Sequence, residues 1–215
     1  MKVGLFIPCY IDQFYPEVGV ATLSLLEELG VEVGYPLDQT CCGQPLANGG
    51  FASDTEKLCK RFASMFEDYD HIVSPSGSCV HHVKNHYDQI SQSDAVVKVR
   101  SGVIELCDFL VNILKVTDLN AYFPHRVGLH KSCHGLRGLE LGSYSEKTAA
   151  TNAFSVMETL LNKVEGLELV SLNRSDECCG FGGTFAIHEE AVSVKMGNDR
   201  IQDLSLIHIS EPTRH

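Results

Sequence analysis

The chain has 215 residues, 44% hydrophobic and 21% charged, enough apolar content for one large domain or two small ones. Seventeen Lys and Arg against 28 Asp and Glu give a net charge of −11 with no basic cluster, which argues against a nucleic-acid or anionic-membrane surface. No run of eighteen apolar residues occurs, so no membrane span is expected. The opening MKVGLFIPCYIDQF carries no secretory cleavage pattern, so a cytoplasmic location is expected.

Lys2 to Ile7 (KVGLFI) reads as a buried strand ending at Pro8-Cys9. A helix follows over 14–29, with Val18, Ala21, Leu25, Leu26 and Leu29 on one face, Thr22 the polar exception and Gly30 the stop. Val31 to Tyr35 is a second strand, leading to a turn at Cys41-Cys42-Gly43-Gln44-Pro45. The pattern predicts a helix over 51–69, a strand at His71 to Ser74, a loop through Pro75 to Cys79, a helix opening at 81–89 and a helix over 106–114. After Phe123-Pro124 the plan restarts. Arg126 to His130 reads as a strand ending at Lys131-Ser132-Cys133, a helix is expected over 148–164, and Leu167 to Leu172 is a strand before Glu177-Cys178-Cys179-Gly180. VSVKMGNDRIQD (192–203) is a polar helix. The final LSLIHISEPTRH (204–215) is similar to a translated sequencing-adaptor fragment and is set aside as a non-native tail.

The two halves align. Val3-Gly4-Leu5 with Cys9 matches Val127-Gly128-Leu129 with Cys133, and Cys41-Cys42-Gly43 matches Cys178-Cys179-Gly180. Such a repeat predicts an α/β fold of two pseudo-repeated strand-helix modules with mainly parallel sheets, over 1–120 and 121–203. Ligands in such sheets gather beyond the carboxyl ends of the strands. Cys9, Cys41, Cys79, Cys133 and Cys178 all follow predicted strands.

Nine cysteines need an explanation, because thiols in a reducing compartment stay free unless chemistry uses them. An adjacent Cys-Cys pair packs poorly, since in a strand its side chains point to opposite faces. In a turn followed by glycine both thiols can reach one site. Two such pairs, each preceded by a strand-end cysteine, point to thiolate ligands for a thiophilic metal. Zinc sites usually show C-x2-C knuckles, which this chain lacks, so an iron–sulfur cluster fits better. The first ligand set is Cys9, Cys41, Cys42 and Cys79. The second is Cys133, Cys178 and Cys179, one thiolate short, and the missing one is expected in the segment that the tail replaces. Cys59 and Cys107 sit among apolar helical neighbours and read as core.

Other readings of the same residues explain less. Cys133 between His130 and His134 could be an activated nucleophile, but this gives the Cys-Cys pairs no role. His81, His82 and His86 could tune cluster sulfurs, although an exposed helix face is the simpler account. Gly180-Phe181-Gly182-Gly183 lacks the P-loop and dinucleotide fingerprints and reads as backbone packed against a cluster.

GLFIPCYIDQFYPEVGVATLSLLEELGVEV, CCGQP at 41–45, PSGSC at 75–79, HKSCHGLRGL at 130–139 and ECCGFGGTFA at 177–186 together resemble the cysteine-rich CCG-domain family, over essentially all of 1–203. That family includes the B-type component of heterodisulfide reductase and the iron–sulfur component of glycolate oxidase, and the nearest likeness is to its lactate-utilisation A group. The resemblance implies an iron–sulfur electron-transfer subunit of an L-lactate-oxidising complex that yields pyruvate, working with B-type and C-type lactate-utilisation proteins. It implies [4Fe–4S] binding by the seven cysteines named. Where the wider family has C-x-x-C, this chain keeps only Cys79; the absent partner falls at Ser76 or His82. Four thiolates rather than five leave an ordinary [4Fe–4S] cluster in place of the noncubane type. The alternatives are a heterodisulfide reductase-like thiol/disulfide subunit and a structural zinc-binding interaction module. No flavin or nicotinamide fingerprint is present, so the electron acceptor lies elsewhere.

Overall fold

Val3, Gly4 and Leu5 are all buried, and this short run forms strand β1 (Val3–Leu5) inside a sheet. The computed structural model describes residues 1–146 and 154–205, and the chain divides into two units, Met1–Ile113 and Leu114–His215. In the first unit β1 lies between β2 (Val33–Gly34) and β3 (His71–Ser74), and β4 (Val103–Glu105) follows β3, giving the order β2-β1-β3-β4. Every pairing is parallel, with Val3 opposite both Val33 and His71, and Ile72 opposite Val103.

Parallel neighbours need crossovers, and helices supply them. Helices α1 (Cys9–Phe14) and α2 (Pro16–Glu28) join β1 to β2. Helices α3 (Gln44–Asn48) and α4 (Glu56–Phe66) join β2 to β3. Helices α5 (Gly77–His86) and α6 (Asp94–Gly102) join β3 to β4. Helix α7 (Leu106–Asp108) follows β4 and runs into a π-helical turn, Phe109–Ile113. Helix α4 forms because Cys59, Phe62, Ala63 and Phe66 repeat at helical spacing, and all four are buried. Phe62 meets Phe6 edge-on at 4.8 Å between centroids, and each such buried ring contributes about 2–3 kcal/mol.

Several expectations change in detail. Helix α2 buries Gly19, Thr22 and Leu26, so its inner face is rotated from the predicted one and Ala21 is exposed. Thr22 is tolerated inside because its hydroxyl donates to the Val18 carbonyl at 2.7 Å. The PSGSC segment is a loop only as far as Ser76. Helix α5 begins at Gly77, with the Ser76 hydroxyl accepting from the Cys79 N–H at 3.4 Å. The sequence pattern predicts neither helix α6 nor strand β4. They abut at Gly102, and α6 offers only Val96 and Val99 as buried positions.

In the second unit β5 (Arg126–Gly128) and β6 (Glu168–Val170) pair in parallel, with Val127 opposite Leu169. Helix α8 (Val156–Leu161) is capped by Ser155, and α9 (Phe185–His188) and α10 (Glu190–Ser205) follow β6. Leu136, Leu141, Val156 and Leu160 form the buried core. The helix predicted over 148–164 is α8; its first residues, up to 153, lie outside the described residues. Helix α10 continues through Leu204 and Ser205, and the rest of the segment read as a tail, 206–215, lies outside the described residues. The parallel pairings make this an α/β fold, as expected. Among the described residues no helix is long and apolar enough to cross a membrane.

Candidate functional site

Parallel strands leave their carboxyl ends at one edge of the sheet, and the chain leaves each strand there toward a crossover. In the first unit those exits carry thiols. Cys9 opens α1, four residues past β1. Cys41 and Cys42 follow β2 and precede α3. Gly43 takes φ +91°, a left-handed conformation natural to glycine, and its N–H points back to the Cys41 sulfur at 3.4 Å. Cys79 stands in the first turn of α5, past β3.

The four thiols interact with one another. Cys9 and Cys42 are both in hydrogen-bonding contact with Cys41, and Cys42 is also in contact with Cys79. Hydrogen bonds from Cys42, the Gly43 N–H and Cys9 lower the Cys41 thiol and favour its anion. Contact with Cys42 also lowers Cys79, helped by the Ser76 and Ser78 hydroxyls. Burial, and then Cys41, push Cys9 up to about 11, and contact with Cys41 and Cys79 raises Cys42. Two sulfurs thus favour the anion while two hold their protons, as expected of a thiol set that releases protons when it takes up a cation. Among the described residues no three His, Cys, Asp or Glu side chains converge on a point that would hold one metal ion.

One neighbour of this set is not marked by the sequence pattern. Tyr87 is fully buried and donates from its hydroxyl to the Cys42 carbonyl at 2.9 Å. Cys59 is buried in the core and touches Thr55 and Tyr87. Cys107 is half-buried at the start of α7. Its N–H donates to the Glu105 carboxylate at 2.8 Å, and burial pushes its thiol up to about 12. The His81, His82 and His86 rings pack on one another, but His82 is buried against Tyr87, which corrects the exposed-face reading.

The second unit repeats the local geometry. The Gly180 N–H points to the Cys178 sulfur at 3.4 Å, with Gly180 at φ +77°. Cys133, just before a π-helical turn (His134–Gly138), is in contact with Cys178 and within electrostatic range of Cys179. Burial and Cys178 push Cys133 up to about 11, and the His130 Nδ1 accepts from Arg200 Nε at 2.9 Å. Raising the Cys133 thiol is the opposite of the shift that activates a cysteine nucleophile. Arg200 and Asp203 are buried together. Arg200 also donates to the Arg174 carbonyl at 2.5 Å, and Asp203 accepts from the Asn173 and Arg174 N–H groups, both at 3.2 Å. This brace holds the segment that leads into Cys178. The Gly-rich stretch at 180–183 packs Gly180 against Ser193 and Met196 of α10. A cavity of about 300 Å³ opens at the carboxyl edge of β5 and β6, where Lys131 pairs with Glu158 at 2.7 Å.

Comparison with known proteins agrees with the duplication. The family model for the cysteine-rich domain (CCG) matches residues 3–84 and again 127–206. The chain is 41% identical over 209 residues to Lactate utilization protein A of Geobacillus thermodenitrificans, covering 95% of this chain and 82% of that protein. It is 40% identical to the protein of that name from Exiguobacterium sp., over 94% of this chain and 80% of that protein. The Bacillus subtilis protein of that name is 38% identical, over 94% and 81%.

Proposed function

Because the chain belongs to the cysteine-rich CCG domain family, we propose that it serves lactate utilisation as an iron–sulfur electron-transfer subunit, with Cys9, Cys41, Cys42 and Cys79 holding one [4Fe–4S] cluster. The carrying observation is that three strand exits of one CCG module bring four cysteines together, with no other ligand type among them. The donor set suits the group: four soft sulfurs, with no imidazole or carboxylate among them. A single zinc ion can also take four thiolates, at about 2.3 Å from each sulfur, so iron, zinc and acid-labile sulfide analysis separates the two. When bound, such a cluster accepts and returns one electron at a time.

The protein's own residues hold it. The Gly43 N–H donates to the Cys41 sulfur, the Ser76 hydroxyl accepts from the Cys79 N–H, and the Tyr87 hydroxyl donates to the Cys42 carbonyl. Cys133, Cys178 and Cys179 form the matching set of the second module, with three thiols among the described residues. In this reading the protein works in the cytoplasm with B-type and C-type lactate-utilisation proteins, relaying electrons in the oxidation of L-lactate to pyruvate. The test is anaerobic purification with iron, zinc and acid-labile sulfide analysis. Brown protein with a broad band near about 400 nm is expected. Cys41→Ser loses it and Cys59→Ser keeps it. Colourless protein with stoichiometric zinc overturns the reading.

A further inference from the structure

The regular pairing of β1 with β2 ends at Gly34, because Tyr35-Pro36 leads the chain away and Pro36 has no N–H to give. Beyond that point β1 still presents backbone groups on that side: the Leu5 carbonyl and the Ile7 N–H. Both are met by one side chain. Gln39 Nε2 donates to the Leu5 carbonyl at 2.8 Å, and Gln39 Oε1 accepts from the Ile7 N–H at 3.0 Å. In a parallel ladder the N–H and C=O of one residue of the neighbouring strand bond residues i−1 and i+1 in this way. The Gln39 amide therefore takes the place of the N–H and C=O of one further β2 residue. On the opposite side, the Phe6 N–H donates to the Val73 carbonyl at 2.9 Å, so the strand end is held from both edges.

The clamp lies between two ligand arms. Ile7 is two residues before Cys9, and Gln39 is two residues before Cys41. We propose that Gln39 is a positioning residue for the four-thiol site: its side-chain amide extends the sheet ladder and so sets the spacing between the Cys9 arm and the Cys41-Cys42 arm. The inference rests on the iron–sulfur reading above. It assigns Gln39 no contact with the cluster.

The experiment compares anaerobically purified holoprotein, wild type against Gln39→Glu and Gln39→Met. Glu keeps the shape but puts a carboxylate oxygen against the Leu5 carbonyl; Met keeps the length and removes both bonds. Asp70→Ala is the control, because Asp70 accepts from the Lys2 N–H at 2.7 Å at the other end of the same strand. Far-UV circular dichroism checks folding, iron release to a chelator follows the site, and electron paramagnetic resonance of the reduced protein reports its geometry. Both Gln39 variants are expected to stay folded, to release iron about tenfold faster and to show altered g-values, the order of effect of one or two lost hydrogen bonds. Asp70→Ala is expected to lose stability while keeping the wild-type release rate and spectrum. Wild-type behaviour in both Gln39 variants, or the same change in Asp70→Ala, overturns the proposal. Wild-type protein without iron overturns the cluster reading itself, and this proposal with it.

Discussion

Tyr87→Phe removes a single oxygen from the best-buried polar contact near the thiols. The ring stays, and with it the edge-on packing against Phe62 at 5.9 Å and His82 at 5.7 Å. What goes is the hydrogen bond to the Cys42 carbonyl at 2.9 Å, in a place where Cys42 is 2% exposed and Tyr87 is 0% exposed. Water cannot replace the donor without opening the core. The cost is therefore the desolvation of an orphaned carbonyl, about 1–3 kcal/mol, rather than the smaller net value of an exposed hydrogen bond. For a unit of this size that is a fall in Tm of about 4–13 °C. Urea unfolding under anaerobic conditions, with far-UV circular dichroism as the probe, measures it, and the m-value should not change because the same surface unfolds. A loss below about 0.5 kcal/mol would refute the reasoning, since it would mean that the Cys42 carbonyl is satisfied without Tyr87.

Burial holds the Glu105 carboxyl up at about 7, against an ordinary 4.5. Its contribution to stability is thus complete below pH 4.5 and is lost as pH rises through 7, by as much as ~3 kcal/mol, and Glu105→Gln should flatten that part of a stability–pH profile. Gly180→Ala places a Cβ 2.6 Å from the Met196 Cβ and 2.8 Å from the Ser193 carbonyl oxygen at φ +77°, so it should cost more than about 2 kcal/mol. Gly50→Ala, at φ +90° with nothing within 4 Å, should cost only about 1 kcal/mol in the same thermal assay. Arg200→Met leaves the buried Asp203 carboxylate with only two backbone donors and should cost about 3–5 kcal/mol, part of it recovered by adding Asp203→Asn. Equal stability of the single and double variants would show that the Arg200–Asp203 pair does not hold the 173–174 backbone.

Much of the thiol arrangement is legible in the residue order, because each ligand candidate follows a strand and a parallel sheet sends all such exits to one edge. The duplicated V-G-L and Cys-Cys-Gly signals carry the two-module plan, and the structure repeats them down to the glycine N–H on the first sulfur of each pair. Helix α6 is hidden because a short helix with two buried valines has too weak a period to read, and β4, directly after Gly102, is only three residues long. Cys107 is expected in the core and is half-buried beside Glu105; nothing in the residue order says that β4 precedes it.

Local order along the chain is enough to say which residues carry sulfur, which runs are apolar enough to be strands, and where glycine allows a left-handed turn. Which polar side chains serve the site emerges only once the chain is packed. Gln39, Tyr87 and Arg200 have no spacing that marks them, since a glutamine completing a strand ladder reads in sequence like any glutamine in a loop. Each of them binds backbone atoms, which are identical at every position along the chain. Such contacts become visible only when the fold brings residue 39 to residues 5 and 7, residue 87 to 42, and residue 200 to 174.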